Sequence, residues 1–224
     1  MTNKILIVVA HADDETIGCG GIIARHVKLG DDVRVIFMAD GVTSRSGVTT
    51  KDTKSRIEAA ENAKAILGYR KSYYLQLPDN RLDSLPLLDV IKPLETIIQE
   101  FGPRTIYTHH IGDLNIDHQV TFKAVLTACR PTPESTIKEF YTFEVMSSTE
   151  WSTYEESPFL PDVFIDIGLF WDQKQRALLA YKEEMRAAPH SRSIEHLDVL
   201  SKHRGSCVGL RRAEAFKLIR RVIS

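Results

Sequence analysis

Residues Ile5-Leu-Ile-Val-Val-Ala10 form an unbroken apolar run rich in β-branched side chains. A strand of that kind is stable only where both faces are covered, which is the condition of an inner strand in a parallel sheet. The rest of the chain repeats the same unit. Strands are predicted at Val33 to Ala39, Tyr73 to Leu77, Thr105 to Thr108, Phe140 to Val145 and Val163 to Ile167. Helices are predicted between them, at Thr16 to Leu29, Lys51 to Leu67, Leu85 to Phe101 and His118 to Cys129. Gly30 and Gly68 stop the first two helices, and Pro93 predicts a kink or a late start in the third. Strands alternating with helices at this spacing give an α/β fold, a Rossmann-like, mainly parallel doubly wound sheet with right-handed crossovers. The last third, from about residue 168, reads as helices Trp171 to Met185, Ile194 to His203 and Arg212 to Val222 packed on the same single domain, 1–224.

Composition narrows the class. The 224 residues are 43% hydrophobic and 26% charged, as in an ordinary globular chain, with a formal net charge of -1. That balance gives no reason to expect a surface for nucleic acid. No apolar run reaches the length of a membrane span, and no charged-then-apolar leader is recognisable. Cys19, Cys129 and Cys207 are odd in number and scattered, so a disulfide framework is not expected and a cytoplasmic location is.

In open sheets of this kind ligands sit beyond the carboxyl ends of the strands. His11-Ala-Asp-Asp-Glu15 stands at the end of the first strand. Acids at a helix start can cap free N–H groups and complement the helix dipole, which accounts for one or two of these carboxylates but not for His11. Imidazole and carboxylate in one short turn are ligands that zinc accepts. A second cluster, His109-His-Ile-Gly-Asp-Leu-Asn-Ile-Asp-His118, follows the fourth strand. Folding places both clusters on one rim. His11, one acid of the first motif and one residue of the second then complete three zinc ligands and leave a position for water, with Asp113 and Asp117 behind them to orient an imidazole.

Ala10-His-Ala-Asp-Asp-Glu15 resembles the His-Pro-Asp-Asp-Glu motif of the GlcNAc-phosphatidylinositol de-N-acetylase (PIG-L/LmbE-like) family, with Ala12 in place of proline. Asp117-His118 matches the end of that family's second motif, His-Pro-Asp-His. The similarity extends through the Arg56 helix and the Asp79 loop. It implies a zinc-dependent deacetylase of N-acetylglucosamine-type sugars or their conjugates. His11, Asp14 and His118 are implied as zinc ligands and Asp13 as general base. Asn115 and Asp117 complete the catalytic candidates. Asn115 is a departure, because it stands where the family has the first histidine of the second motif. An amide has no proton to release near neutral pH. The proton for the leaving amine then comes from Asp13, with His109, His110 and His190 as the other candidates.

The same resemblance suggests Arg56 and Asp79 as substrate contacts, although a solvated helix face and a Pro-Asp-Asn turn explain each as well. In Pro189-His-Ser-Arg-Ser193, His190 and Arg192 are candidates for a phosphate or the distal part of a sugar, while Ser191 or Ser193 caps the next helix. Trp151 and Tyr154 either stack on a sugar or cover the core. Cys19, within Gly-Cys-Gly-Gly, fits tight packing better than zinc binding. Three other readings stay open: an amidase acting on a thiol conjugate, a non-catalytic metal-binding homologue, and a nucleotide-binding module, the last disfavoured by acids where a pyrophosphate needs a Gly-rich turn. Homo-oligomerisation is compatible with the sequence.

Overall fold

The computed structural model describes residues 2–44, 47, 49–153 and 157–223. Its elements run in the order β1 (Lys4–Val9), α1 (Asp14–Lys28), β2 (Asp32–Ala39), α2 (Thr50–Leu67), β3 (Lys71–Leu77), α3 (Leu87–Phe101), β4 (Thr105–His109), α4 (Ile116–Ala128), β5 (Glu139–Phe143), β6 (Val163–Asp166), α5 (Trp171–Ala180), α6 (Ile194–Ser206) and β7 (Ala213–Arg221). One sheet holds all seven strands in the order β3-β2-β1-β4-β5-β7-β6. The first five are mutually parallel. β7 runs antiparallel to both β5 and β6.

Alternation along β1 and β2 builds a core on each face. Ile5, Ile7, Val9, Val33, Val35 and Phe37 point into a cluster with residues of α1, α2 and α5. Leu6, Val8, Ile36 and Met38 point into a second cluster with residues of α3 and α4. Each fully buried aliphatic side chain contributes about 1.5–3 kcal/mol, so a central strand buried on both faces anchors the whole sheet. The doubly wound expectation is met. Gly68 ends α2 in the left-handed conformation at φ 84, as its position predicted. α3 begins two residues after the expected start and runs through Pro93.

Two expectations for the last third are corrected. Residues 213–221 form a strand, not part of a helix from Arg212 to Val222. Ala, Glu, Lys, Leu and Arg favour helices intrinsically, but pairing with β5 on one side and β6 on the other satisfies the backbone of this segment, and that tertiary context overrides propensity. α5 stops at Ala180 rather than Met185. Beyond it the chain turns so that the Tyr181 hydroxyl reaches Glu15 at 2.8 Å and Glu184 pairs with Arg56.

β7 also delivers a buried ion pair to α1. Glu214 accepts from the N–H groups of Gly21 and Ile22, both at 2.7 Å. Lys174 donates to the Ile17 carbonyl and to Glu214, again at 2.7 Å. The approach depends on glycine: a Cβ at Gly18 would overlap the Phe143 ring, and one at Gly21 would lie 2.8 Å from Ile167 Cβ. Cys19 is fully buried here, in keeping with a packing role.

Candidate metal centre

The chain leaves β1 toward β2 on one side and later returns through β4 on the other, so the carboxyl ends of β1 and β4 form the switch point of the sheet. His11 follows β1, and His109 closes β4. The two sequence clusters therefore meet, although they are about a hundred residues apart.

His11, Asp14 and His118 are all buried, and one ligand atom from each lies within 4.8 Å of the others. His11 Nδ1 is 3.4 Å and His118 Nε2 3.3 Å from the same oxygen, Asp14 Oδ2. Ligands about 2.0–2.2 Å from a tetrahedral centre stand about 3.3–3.6 Å from one another, so the two spacings match edges of a zinc tetrahedron. Asp14 Oδ1 is buried with no partner among the described residues, which also suits a cation. The donor set of two imidazoles and one carboxylate fits zinc.

Each imidazole is steered from behind by carboxylates. His11 Nε2 faces Asp79 Oδ1 and Asp117 Oδ2, both at 3.1 Å. His118 Nδ1 faces Asp113 Oδ2 at 3.1 Å. The carboxylates are fixed in turn. Asp117 accepts from the N–H groups of Asn80 and Leu82. Asp113 accepts from Ser148 Oγ, Thr149 Oγ1 and Asn115 N. Burial alone would depress both imidazoles, but the surrounding carboxylates overcome it, raising His118 to about 9 and His11 well above its ordinary value. Burial pushes Asp79 and Asp113 up, yet His11 and His118 hold both carboxyls down at about 2. The field therefore favours positive charge between the two rings, which a divalent cation provides.

Asp13 occupies a different position from its neighbour Asp14. Its backbone is held at φ 135, a conformation that costs on the order of 1–3 kcal/mol and persists only where the surroundings impose it. Its side chain makes no cap to α1. Instead it lies between two guanidiniums, with Arg192 Nη1 at 2.9 Å from Oδ2 and Arg56 Nη2 at 3.4 Å from Oδ1. Burial pushes this carboxyl up, against the pull of Arg192 and then Arg56. Glu15, the third acid, is taken up by Asp13 N, Thr16 and Tyr181, so it is a structural member of the turn.

Several of the other candidates adjoin the centre. Arg56 bridges Asp13 and Glu184 and lines a cavity of about 500 Å³ between α2 and residues 180–184. Asp79 is bound to His11 and Ser44, inside the cluster. His190 Nδ1 accepts from Arg192 N at 3.0 Å, and its ring meets Trp151 edge-on. Ser193 caps α6, as one of the two serines was expected to do. Asp40, just after β2, accepts from the N–H groups of Val42 and Thr43. His109 is fully buried and stacked on His118 at 3.8 Å, with Nε2 accepting from Ala10 N. Burial, then the charge on His118, depresses it to about 3. Tyr154 lies outside the described residues.

Asn115 Oδ1 accepts from Asp117 N at 2.8 Å and Nδ2 donates to Asn80 Oδ1 at 3.1 Å. It is the N-cap of α4, a position that asparagine fills because it satisfies an otherwise free helix N–H. Sequence reading did not find Ser148, Thr149 and Glu184, nor the reach of Arg192 to Asp13. Their partners are remote in the chain and no local pattern announces them.

The chain resembles known proteins in sequence and in fold. Residues 6–129 match the family model described as PIG-L, GlcNAc-PI de-N-acetylase. The uncharacterised deacetylase YaiS of Escherichia coli is 33% identical over 135 residues, 58% of this chain and 70% of that protein. Among solved structures, the N,N'-diacetylchitobiose deacetylase of Pyrococcus horikoshii superposes with a TM-score of 0.79 at 20% identity, covering 97% of this chain and 84% of the other. The 4-carboxy-2-hydroxymuconate hydratase GalB of Pseudomonas putida has a TM-score of 0.78 at 21% identity, over 100% and 98%. The fold thus hosts more than one reaction, and the argument for activity rests on the site.

Proposed function

We propose, since the chain belongs to the GlcNAc-PI de-N-acetylase (PIG-L) family, that it hydrolyses the acetamide of an N-acetylated amino sugar or sugar conjugate, releasing acetate and the free amine. His11, Asp14 and His118 would hold zinc. When bound, zinc supplies the Lewis acidity that lowers the pKa of a water from 15.7 to about 7.

The chain's own residues do the rest. Asp13 accepts the proton of the attacking water and returns it to the departing nitrogen, a role that general acid–base groups fill with gains of about 10²–10⁴. Arg192 and Arg56 fix the direction of its carboxylate and oppose the upward push of its burial. Asp117 and Asp79 orient His11, and Asp113 orients His118, so these carboxylates act as positioning residues. Asn115 preserves the start of α4, from which Asp117 and His118 project.

The single observation that carries this reading is the pair of spacings from Asp14 Oδ2 to His11 and His118, with Asp13 one residue away between two guanidiniums. An amine-release assay on a panel of N-acetylated sugars, with zinc-loaded and chelated protein, tests it. Release that depends on zinc is expected. Hydration of an unsaturated acid by the zinc-loaded protein, with no amine from any sugar, would place the chain with the hydratase instead.

A further inference from the structure

The turn that fixes Asp113 also presents an aromatic ring to solvent. Ser148 and Thr149 hold the Asp113 carboxylate, and two residues later Trp151 ends the same 3-10 turn with 54% of its surface exposed. The chain has two tryptophans, and the other, Trp171, is 6% exposed and stacked under Arg212. The neighbours of Trp151 link it to Asp13. The His190 ring lies T-shaped to the indole with centroids 5.6 Å apart, His190 Nδ1 accepts from Arg192 N, and Arg192 Nη1 contacts Asp13. Leu114, also exposed, stands on the adjoining turn, tied to it by the bond from Leu114 N to Ser148 O.

We propose that Trp151 is a specificity-determining platform for a second saccharide ring, the one linked to the sugar whose acetamide is cleaved. The chemistry fits a pyranose. A single T-shaped contact with His190 engages at most one face of the indole, and 54% of the residue is exposed, so a face is available to the apolar C–H side of a sugar. Because Nδ1 of His190 is an acceptor, the neutral ring carries its proton on Nε2, at the opposite side, as a donor for a sugar hydroxyl. A phosphate or a flat carboxylate would gain nothing from the indole face. The inference rests on the reading that the substrate is an N-acetylated saccharide, and it narrows that class to saccharides of at least two rings.

The test uses the tryptophan itself. Zinc-loaded Asp13→Asn protein, which turns over slowly if Asp13 is the base, is titrated with N,N'-diacetylchitobiose while tryptophan fluorescence is followed. Saturable quenching is expected, and Trp151→Phe in the same background should abolish the signal while binding, followed by calorimetry, persists through the remaining ring. Loss of a stacking contact is worth about three- to tenfold, so Trp151→Ala should raise KM for the disaccharide by that factor with kcat nearly unchanged, and leave N-acetylglucosamine kinetics unaffected. Quenching that survives Trp151→Phe, no saturable quenching, or an unchanged disaccharide KM in Trp151→Ala would overturn the proposal. If the disaccharide quenches Trp151 but wild-type protein releases no amine from any sugar, the deacetylase reading fails and the saccharide platform stands.

Discussion

Asp113→Asn isolates the support behind one proposed ligand. The carboxylate is fully buried, and all its partners are donors or, in the case of His118 Nδ1, become one when the other nitrogen binds a metal. Oδ2 faces His118 and Thr149, and Oδ1 faces Ser148 and Asn115 N. An amide of the same shape must place its NH2 against one set or the other. Either orientation sets a donor against a donor, His118 Nδ1–H or the Asn115 N–H, and leaves a buried group unsatisfied at a cost of about 1–3 kcal/mol. Loss of the anion behind a ligating histidine typically weakens metal binding by about 10–100-fold, or roughly 1.4–2.7 kcal/mol. Competition with a fluorescent chelator should show zinc affinity falling in that range while circular dichroism stays native.

The zinc-free protein adds a dependence on pH. Asp113 is depressed to about 2, so its contribution is present above its unfolded pKa and disappears as pH falls through the folded value. His118 is raised to about 9, so its contribution is full below its unfolded pKa and disappears as pH rises through the folded value. The stability difference between wild type and Asp113→Asn should therefore be greatest between about pH 4 and 6.5 and shrink on both sides. Wild-type zinc affinity in a folded Asp113→Asn protein would refute the argument that Asp113 orients His118.

Further outcomes follow from other sites. Asp13→Asn should lower kcat by about 10²–10⁴ with zinc content near wild type, whereas Asp14→Ala and His118→Ala should lose both, as measured by kinetics and metal analysis. Asn115→Ala should cost about 0.5–2 kcal/mol in denaturant stability through the lost cap, with kcat falling by less than the 10²–10³ typical of a lost oxyanion donor. Glu214→Ala leaves Lys174 buried without its partner, so calorimetry should show about 3–5 kcal/mol of destabilisation, or a Tm lower by roughly 6–20 °C.

The parts of the fold that the sequence announces are those fixed by local pattern. Ile5 to Ala10 could be placed because an apolar β-branched run admits few other environments, and Gly68 because its left-handed turn suits glycine. The two His/Asp clusters were legible as neighbours because each follows a strand end, where the sheet topology determines what shares the rim, whereas the choice of His11, Asp14 and His118 within them came from the resemblance to the family's motifs. Residues 213–221 were misread because their local preference is helical while their strand pairing with β5 and β6 is remote. Arg192 reaches Asp13 across 179 positions of sequence, so its contact depends on how the segment after α5 folds back. Asn115 stood out only as a departure from the family's second motif, and its immediate role at the start of α4 is an ordinary cap.

The most direct measurement of the central claim is amine and acetate release from N,N'-diacetylchitobiose as zinc is added back to metal-stripped protein. The account predicts that both products appear in equal amounts and that the rate rises linearly to one zinc per chain and then levels. Product formation by fully stripped protein at the same rate, or none at any zinc level with this or any other N-acetylated sugar, would contradict it.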